Sequence, residues 1–270
     1  MLVALLNGAR TFAALAQKGP TYDCPGCGQV VTLKKGLKVI HHFAHKPPVT
    51  CTWAKGETAA HMAAKKLFLD HLRALPRVAD VEFPIGTQRA DVYALGKNGA
   101  PYVFEMQHQP ITEQDIARRT QDYFKQGAAV TWLPLIDLSK LTTKKTATGH
   151  IIERYSPKPF EKWLQGFNFK ELWYVEPSTG LLWQGKFDKA MLEVAYSEWH
   201  VSGGGTESAG GYSRPSKRWR KLTLTGPFTL AQLNITTTRR QSSSVGTHFY
   251  PQGNRIVFVP KSPVPSPPKE

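Results

Sequence analysis

The sequence predicts a mixed α/β domain between residues 57 and 140, and three features point to it. Residues 57–75 carry apolar side chains at helical spacing, residues 89–107 read as a β-hairpin, and residues 128–136 form an apolar run suited to a buried parallel strand. A strand at residues 80–86 and a helix at residues 112–127 complete the order helix, strand, strand, strand, helix, strand.

The 270-residue chain carries a formal charge of +15 and a pI near 9.8, with 41% hydrophobic and 11% aromatic residues. That balance allows sizeable cores and points to a polyanionic partner, most simply nucleic acid. No window reaches the roughly 18 uncharged apolar residues of a membrane helix. The first residues, MLVALLNGARTF, have no basic leader, and Asn7-Gly8 is a turn signal. They read as strands at residues 2–6 and 11–15 rather than as a signal peptide.

The three cysteines all fall between residues 24 and 51. An odd, clustered set suggests a metal site in a reducing compartment, because disulfides would leave one thiol over. Cys24-Pro-Gly-Cys27 has the form of a metal knuckle, and strands at residues 30–33 and 37–43 lead to His42, His45 and Cys51. Cys24, Cys27 and Cys51 with His45 make a tetrahedral zinc set, His42 being the alternative to His45. Four protein ligands leave no open position, so the role is structural.

In the helix at residues 57–75, Ala60, Ala64, Leu67, Phe68, Leu72 and Leu75 form the expected buried stripe, and Glu57 and His61 extend it. In the hairpin, a three-residue loop centred on Asn98, with Gly99 left-handed, sets Asp91 opposite Glu105 and puts Gln107 on the same face. Two facing carboxylates repel unless a cation or proton lies between them, and Mg²⁺ suits such oxygen ligands. Thr112 is a good N-cap for the second helix, on which Arg119 and Tyr123 share a face.

Beyond residue 142 the pattern is weaker. Residues 142–149 read as a loop, residues 160–169 as a short helix, and residues 172–175, 181–187, 221–224 and 255–259 as strands. The glycine-rich stretch 202–216 reads as a flexible insertion leading to Lys217, Arg218, Trp219, Arg220 and Lys221. Residues 201–270 hold ten Lys or Arg against two acids. The cluster around Trp219 is either a phosphate-gripping, base-stacking surface or a basic flap over a small sheet. The end, residues 261–270, is proline-rich and expected to be disordered. The expected units are thus 1–52, 53–141, 142–260 and the tail 261–270.

CPGCG, HFAH and Cys51, then GETAAH with Lys65, RADV, FEMQ, and RTQDY before VTWL resemble the CoiA-like competence protein family over roughly residues 1–165. The resemblance implies a zinc-finger-like module before a restriction-endonuclease-like, PD-(D/E)XK nuclease core, with DNA as partner. It also implies a role in DNA uptake and recombination, contact with recombination proteins, and a bacterial cytoplasmic setting. By position Asp91 matches the second-strand acid, Glu105 the acid of the third-strand motif, and Glu57 the first-helix acid. Gln107 stands where that motif usually has lysine; it can orient water but brings no charge.

The chemistry implied is phosphodiester hydrolysis with Mg²⁺ or Mn²⁺ on Asp91, Glu105 and the Met106 carbonyl, Glu57 completing the site and Gln107 positioning water. His61 would contact phosphate or act as acid or base, and Arg119 and Tyr123 would brace the acids or meet the DNA backbone. The alternative is an inert DNA-binding adaptor that uses the nuclease fold as a scaffold.

Overall fold

The computed structural model describes residues 1–51, 53, 57–75 and 77–262. The proline-rich end from residue 263, expected to be disordered, lies outside them. At the N-terminus, β1 (Val3–Leu6) and β2 (Ala9–Phe12) pair across Asn7 and Gly8, whose φ angles are 51° and 79°. Two consecutive positive-φ residues make the hairpin turn whose twist matches paired strands. This tight turn starts the second strand at Ala9, earlier than the expected residue 11.

β3 (Tyr22–Asp23), β4 (Val30–Lys34) and β5 (His42–His45) complete a five-stranded sheet in the order β2-β1-β3-β4-β5. The strand expected at 37–43 is displaced to His42–His45. Lys34 pairs with His42 and Val31 with His45, so residues 35–41 form the loop, with Leu37 and Val39 exposed. Met1, Ala4, Ala13, Tyr22, Val31 and Phe43 pack beside Cys24 and Cys51 in a small core.

The expected order then follows: α1 (Ala59–Ala74), β6 (Ala79–Ile85), β7 (Gln88–Leu95), β8 (Pro101–Gln107), α2 (Glu113–Lys125) and β9 (Ala129–Pro134). Thr58 caps α1 by accepting a hydrogen bond from the His61 amide (3.2 Å), which leaves Glu57 just outside the helix. The buried stripe of α1 is rotated from the expected one. His61, Met62, Ala64, Lys65, Phe68, Leu69 and Leu72 are buried, whereas Ala60 and Leu75 are exposed. The stripe follows the site, since His61 and Lys65 lie one turn apart and point into the sheet.

Residues 144–155 add β10 (Lys144–Thr146), within the expected loop, and β11 (Gly149–Tyr155). The short helix is α3 (Pro159–Phe167), where Trp163 and Phe167 stack at 4.8 Å. β12 (Leu172–Glu176) and β13 (Leu181–Val194) follow. After β14 (Ser197–His200), the stretch expected to be a flexible insertion is largely strand: β15 (Thr206–Ala209) and the start of β16 (Tyr212–Phe228). Met191↔Pro215 through Val194↔Tyr212 continue the β13–β16 ladder through it, so its glycines serve turns rather than a flexible linker.

Finally β17 (Leu233–Arg240), β18 (Ser243–Val245), β19 (His248–Tyr250) and β20 (Gly253–Pro260) close the described chain. One sheet runs β10-β11-β16-β13-β12. The larger runs β17-β20-β9-β8-β7-β6, with β9 parallel to both β8 and β20. The C-terminal strands therefore complete the sheet begun by residues 79–134, and the sheet does not end near residue 141 as the expected units do.

Two cores flank this sheet. Phe68, Leu72, Val81, Val92, Phe104, Trp173, Leu182 and Phe258 pack under α1. Ile116, Tyr123, Ala90, Val103, Trp132, Trp163, Leu222 and Tyr250 pack under α2 and α3. No helix among the described residues is long and apolar enough to cross a membrane.

Candidate functional site

The β7–β8 hairpin has the expected loop. Leu95 pairs with Pro101, the Gly99 amide donates to the Gly96 carbonyl (3.0 Å), and Gly99 takes φ 75°. The register centred on Asn98 holds from there to Val92↔Phe104 and stops one step before Asp91 and Glu105. The carboxylates then part company. Asp91 accepts from His61 Nε2 and from the Met106 amide, both at 2.9 Å. Glu105 accepts from Arg119 Nη2 (2.8 Å) and from the Tyr123 hydroxyl, both on α2. The two acids expected on one face thus turn toward different helices, while both still line a cleft at the end of the strands.

The cause is an irregularity between β6 and β7. Val81 pairs with Val92 and Phe83 with Ala90, but no ladder pair joins Glu82 to Asp91, and Glu82 has φ 52°. Val81 and Val92 belong to the core under α1, whereas Ala90 belongs to the core under α2. Normal alternation would send Glu82 and Asp91 away from α1; the kink sends both toward it. Glu82, fully buried, accepts from Lys65 Nζ (2.7 Å) and from the Leu2 and Val3 amides (2.8 and 3.3 Å). Lys65, also fully buried, donates in addition to Glu57 (2.8 Å).

The charges interlock. Burial opposes ionisation of His61, but Asp91 and Glu57 raise it to about 9. Burial also opposes ionisation of Asp91, yet His61 and Lys65 bring it down to about 2. Glu57, despite its burial, is held well below the usual carboxylate range by Lys65 and His61. Glu105 goes the other way: burial, with Asp91 beside it, pushes it up to about 7 against the pull of Arg119 and Tyr123.

Glu57, His61 and Asp91 offer ligand atoms within 4.8 Å of one another. Glu57 Oε2 is buried without a hydrogen-bond partner among the described residues, and His61 Nδ1 lies 3.3 Å from Glu57 Oε1 without the alignment of a hydrogen bond. The free Glu57 Oε2 beside Asp91 fits a divalent cation, which would take the place of a proton on the His61 imidazolium to complete a carboxylate–imidazole–carboxylate set. The cleft, about 420 Å³, is also lined by Arg119, Gln107, His108 and Trp53. Gln107 donates to the Gln109 carbonyl (2.6 Å). Tyr123 is fully buried, so it braces Glu105 from beneath rather than meeting a ligand.

Cys24, Cys27, His45 and Cys51 form the second group, again within 4.8 Å. The register explains it: Tyr22, Val31 and His45 lie in one cross-strand row, and Cys24 follows the end of β3. Cys27 Sγ is 3.3 Å from His45 Nε2, and Cys24 Sγ is 3.8 Å from Cys51 Sγ. Burial pushes the Cys24 thiol up to about 11. Three sulfurs and an imidazole at this spacing fit a tetrahedral zinc ion. His42 instead directs Nδ1 to the Ile40 carbonyl (2.9 Å) and is outside the group. Trp53 connects the two sites, because a Cβ on Gly26 of the knuckle would lie 2.4 Å from its ring, while the Arg89 guanidinium sits 4.8 Å from the ring centre.

Lys217, Arg218, Trp219 and Arg220 lie on β16, away from the cleft lining. The ladder jumps from Lys189↔Arg220 to Met191↔Pro215, so residues 216–219 bulge out. The Ser216 hydroxyl accepts from the Trp219 amide (2.9 Å), and Arg220 donates to the Ser216 and Trp219 carbonyls. Lys217 and Arg218 are left exposed.

The residues that sequence reasoning missed are Glu82 and His108, and it left Lys65 without a role. A lysine four residues after His61 on the buried stripe was the available signal. Glu82 gave none, since its neighbours read as an ordinary alternating strand.

Fold and site together define an α/β domain with a carboxylate–histidine cleft, preceded by a Cys/His module. The model of the competence protein CoiA N-terminal domain matches residues 8–54, and that of the CoiA nuclease-like domain matches residues 57–177. The competence protein CoiA of Bacillus subtilis (strain 168) is 30% identical over 132 residues, which are 47% of this chain and 34% of that protein. The chain thus matches about a third of the curated relative's length. No solved structure matches. The chain belongs to the CoiA-like family.

Proposed function

We propose that this chain is a metal-dependent DNA nuclease, of PD-(D/E)XK type, that serves a competence-related role in the cytoplasm, where it processes DNA for recombination. One observation carries the reading: Glu57, His61 and Asp91 converge within 4.8 Å in a cleft that Glu105 also lines. A pure binder of a polyanion gains nothing by aiming three carboxylates into one cleft.

A bound Mg²⁺ or Mn²⁺ supplies the charge that polarises a scissile phosphate and lowers the pKa of a water. Asp91 and Glu57 present the oxygens that hold it, and Glu105 is the third carboxylate at the cleft wall. Arg119 keeps Glu105 in place and offers the cleft a positive charge. The Gln107 amide orients water, and His61 holds a proton at Nε2, shared with Asp91, within the cleft. In the N-terminal module, Cys24, Cys27, His45 and Cys51 hold a structural Zn²⁺.

The test is cleavage of end-labelled single-stranded, duplex and branched DNA with Mg²⁺ or Mn²⁺, comparing wild type with Asp91→Ala and Glu105→Ala. Cleavage lost in both variants while DNA binding survives is the expected result. The second reading, an inert DNA-binding adaptor, draws on Gln107 in the usual lysine position and on the ties of Glu105 to Arg119 and Tyr123. It predicts no cleavage of any substrate by the wild type, with salt-sensitive binding intact in all three proteins.

A further inference from the structure

A groove of about 870 Å³ lies at the other end of the strands that carry the candidate cleft. It is bounded by the β7–β8 hairpin tip, the C-terminal end of α1 and strand β17. Asp91 is four residues from Leu95 on the groove's rim, a separation of about 13 Å along an extended strand. The groove is therefore a separate place on the molecule.

Its charge is one-sided. His71, Arg77, Lys97 and Lys261 line it, and among the described residues no Asp or Glu does. Burial, with the Lys261 ammonium and the Arg77 guanidinium nearby, holds the His71 imidazole below the ordinary histidine range. Arg77 Nη1 is buried and has no hydrogen-bond partner among the described residues. A buried donor left in that state bears its full desolvation cost, which an anionic acceptor would remove. The negative end of α1 accounts for cations near its last turn. It does not account for Lys97 on the hairpin or Lys261 beyond β20, nor for a guanidinium nitrogen that caps nothing. The rest of the wall is mixed: Asn98, Asn234 and Thr236 lie among apolar side chains, with Tyr102 and Ile235 facing the same space.

We infer that this groove binds the phosphate of a nucleotide unit, with Arg77, Lys261 and Lys97 as the anion's partners and the Tyr102–Ile235 wall against the base or sugar. The size falls within the range of small-ligand sites, roughly 300–1,000 Å³. The phosphate belongs either to a free nucleotide or to the 5′ end of a nucleic-acid strand, two sources with one chemistry.

The experiment is calorimetric titration of the full chain, without added divalent metal, with inorganic phosphate, dAMP, and an oligonucleotide bearing either a 5′-phosphate or a 5′-hydroxyl. Lys261→Ala and Lys97→Ala, both at exposed positions, are compared with Arg77→Gln and with the wild type. Saturable binding of dAMP that falls about tenfold in Lys261→Ala, with an upward shift of the His71 imidazole titration on binding, supports the site with a free nucleotide as ligand. Binding of the 5′-phosphorylated strand alone, weakened by the same substitutions, supports it with a strand end as ligand. No saturable binding of any probe overturns it, as does binding that all three substitutions leave unchanged. Because the titration needs neither added metal nor cleavage, its outcome is independent of the nuclease reading.

Discussion

Glu82 and Asp91 occupy facing positions on β6 and β7, and the ladder between those strands skips them both. Each turns its carboxylate toward α1, Glu82 to Lys65 Nζ at 2.7 Å and Asp91 to His61 Nε2 at 2.9 Å. A non-glycine residue at φ 52° costs on the order of 1–3 kcal/mol. Lys65 and the Leu2 and Val3 amides offset that cost, so the N-terminal strand and the cleft share one buried network.

Removal of Lys65 tests this network. Lys65→Met leaves Glu82 as a buried charge without its side-chain cation and Glu57 with His61 alone. Breaking a buried pair in this way destabilises by roughly 3–5 kcal/mol. The expected result is a large fall in the urea midpoint. The double variant Lys65→Met/Glu82→Gln should lose less than the sum of its single variants, because the remaining uncompensated charge is smaller. Additive losses would show that the two residues act separately.

The same network sets the acid limit of the fold. Glu57 and Glu82 are held below the usual carboxylate range by Lys65, against the effect of burial, and Asp91 is brought to about 2 by His61. A carboxylate with a lower pKa in the folded state contributes stability that is full above its unfolded value. That contribution is lost as the pH falls through the folded one. Thermal midpoints measured from pH 7 down to pH 2 should therefore rise at first, as Glu105 with its folded value near 7 takes up its proton, and then drop below about pH 4.5. Glu82→Gln should flatten part of that drop; an unchanged acid limb would count against the assignment.

The Cys/His group should make the N-terminal module depend on metal. Cys24 is buried with its thiol pushed up to about 11, a state that a bound cation would convert to thiolate. Purified protein should carry an equimolar amount of zinc. Cys24→Ser should remove it and lower the melting temperature, while His42→Ala should change neither. Zinc content and melting temperature untouched by Cys24→Ser would remove the basis for a structural metal.

What could be read in the sequence was what is local. The Asn98-centred loop follows from alternating strands and a glycine able to take positive φ, and the Cys/His group follows from knuckle spacing. Glu82 was invisible because a kink in the middle of a strand leaves no mark on the apolar pattern. The separation of Asp91 from Glu105 follows from that kink, so a correct register still gave the wrong face. The glycines of residues 202–216 suggested a flexible insertion, but glycine composition cannot report that the β13–β16 ladder runs into it. Nor does any local signal say that β17 and β20 extend the sheet through β9, since that pairing joins residues more than a hundred positions apart.

The bulge on β16 gives the basic C-terminal region its own test. Lys217 and Arg218 project from the ladder where it jumps from Arg220 to Pro215, and the Arg218 guanidinium lies 4.5 Å from the Trp219 ring centre. Ser216, buried, closes the bulge through the Trp219 amide. If this surface grips a nucleic-acid backbone, Lys217→Ala/Arg218→Ala removes up to two phosphate contacts. The slope of log affinity against log salt should then fall by up to about 1.8 on duplex DNA, at roughly 0.9 per phosphate. Both side chains are exposed, so the unfolding free energy from urea titration should stay within about 0.5 kcal/mol of wild type. Ser216→Ala is the contrasting variant: it loosens the bulge without removing charge, so the affinity should weaken with an unchanged slope. A double variant whose slope matches wild type would mark the bulge as a flap over the small sheet and move the DNA surface elsewhere.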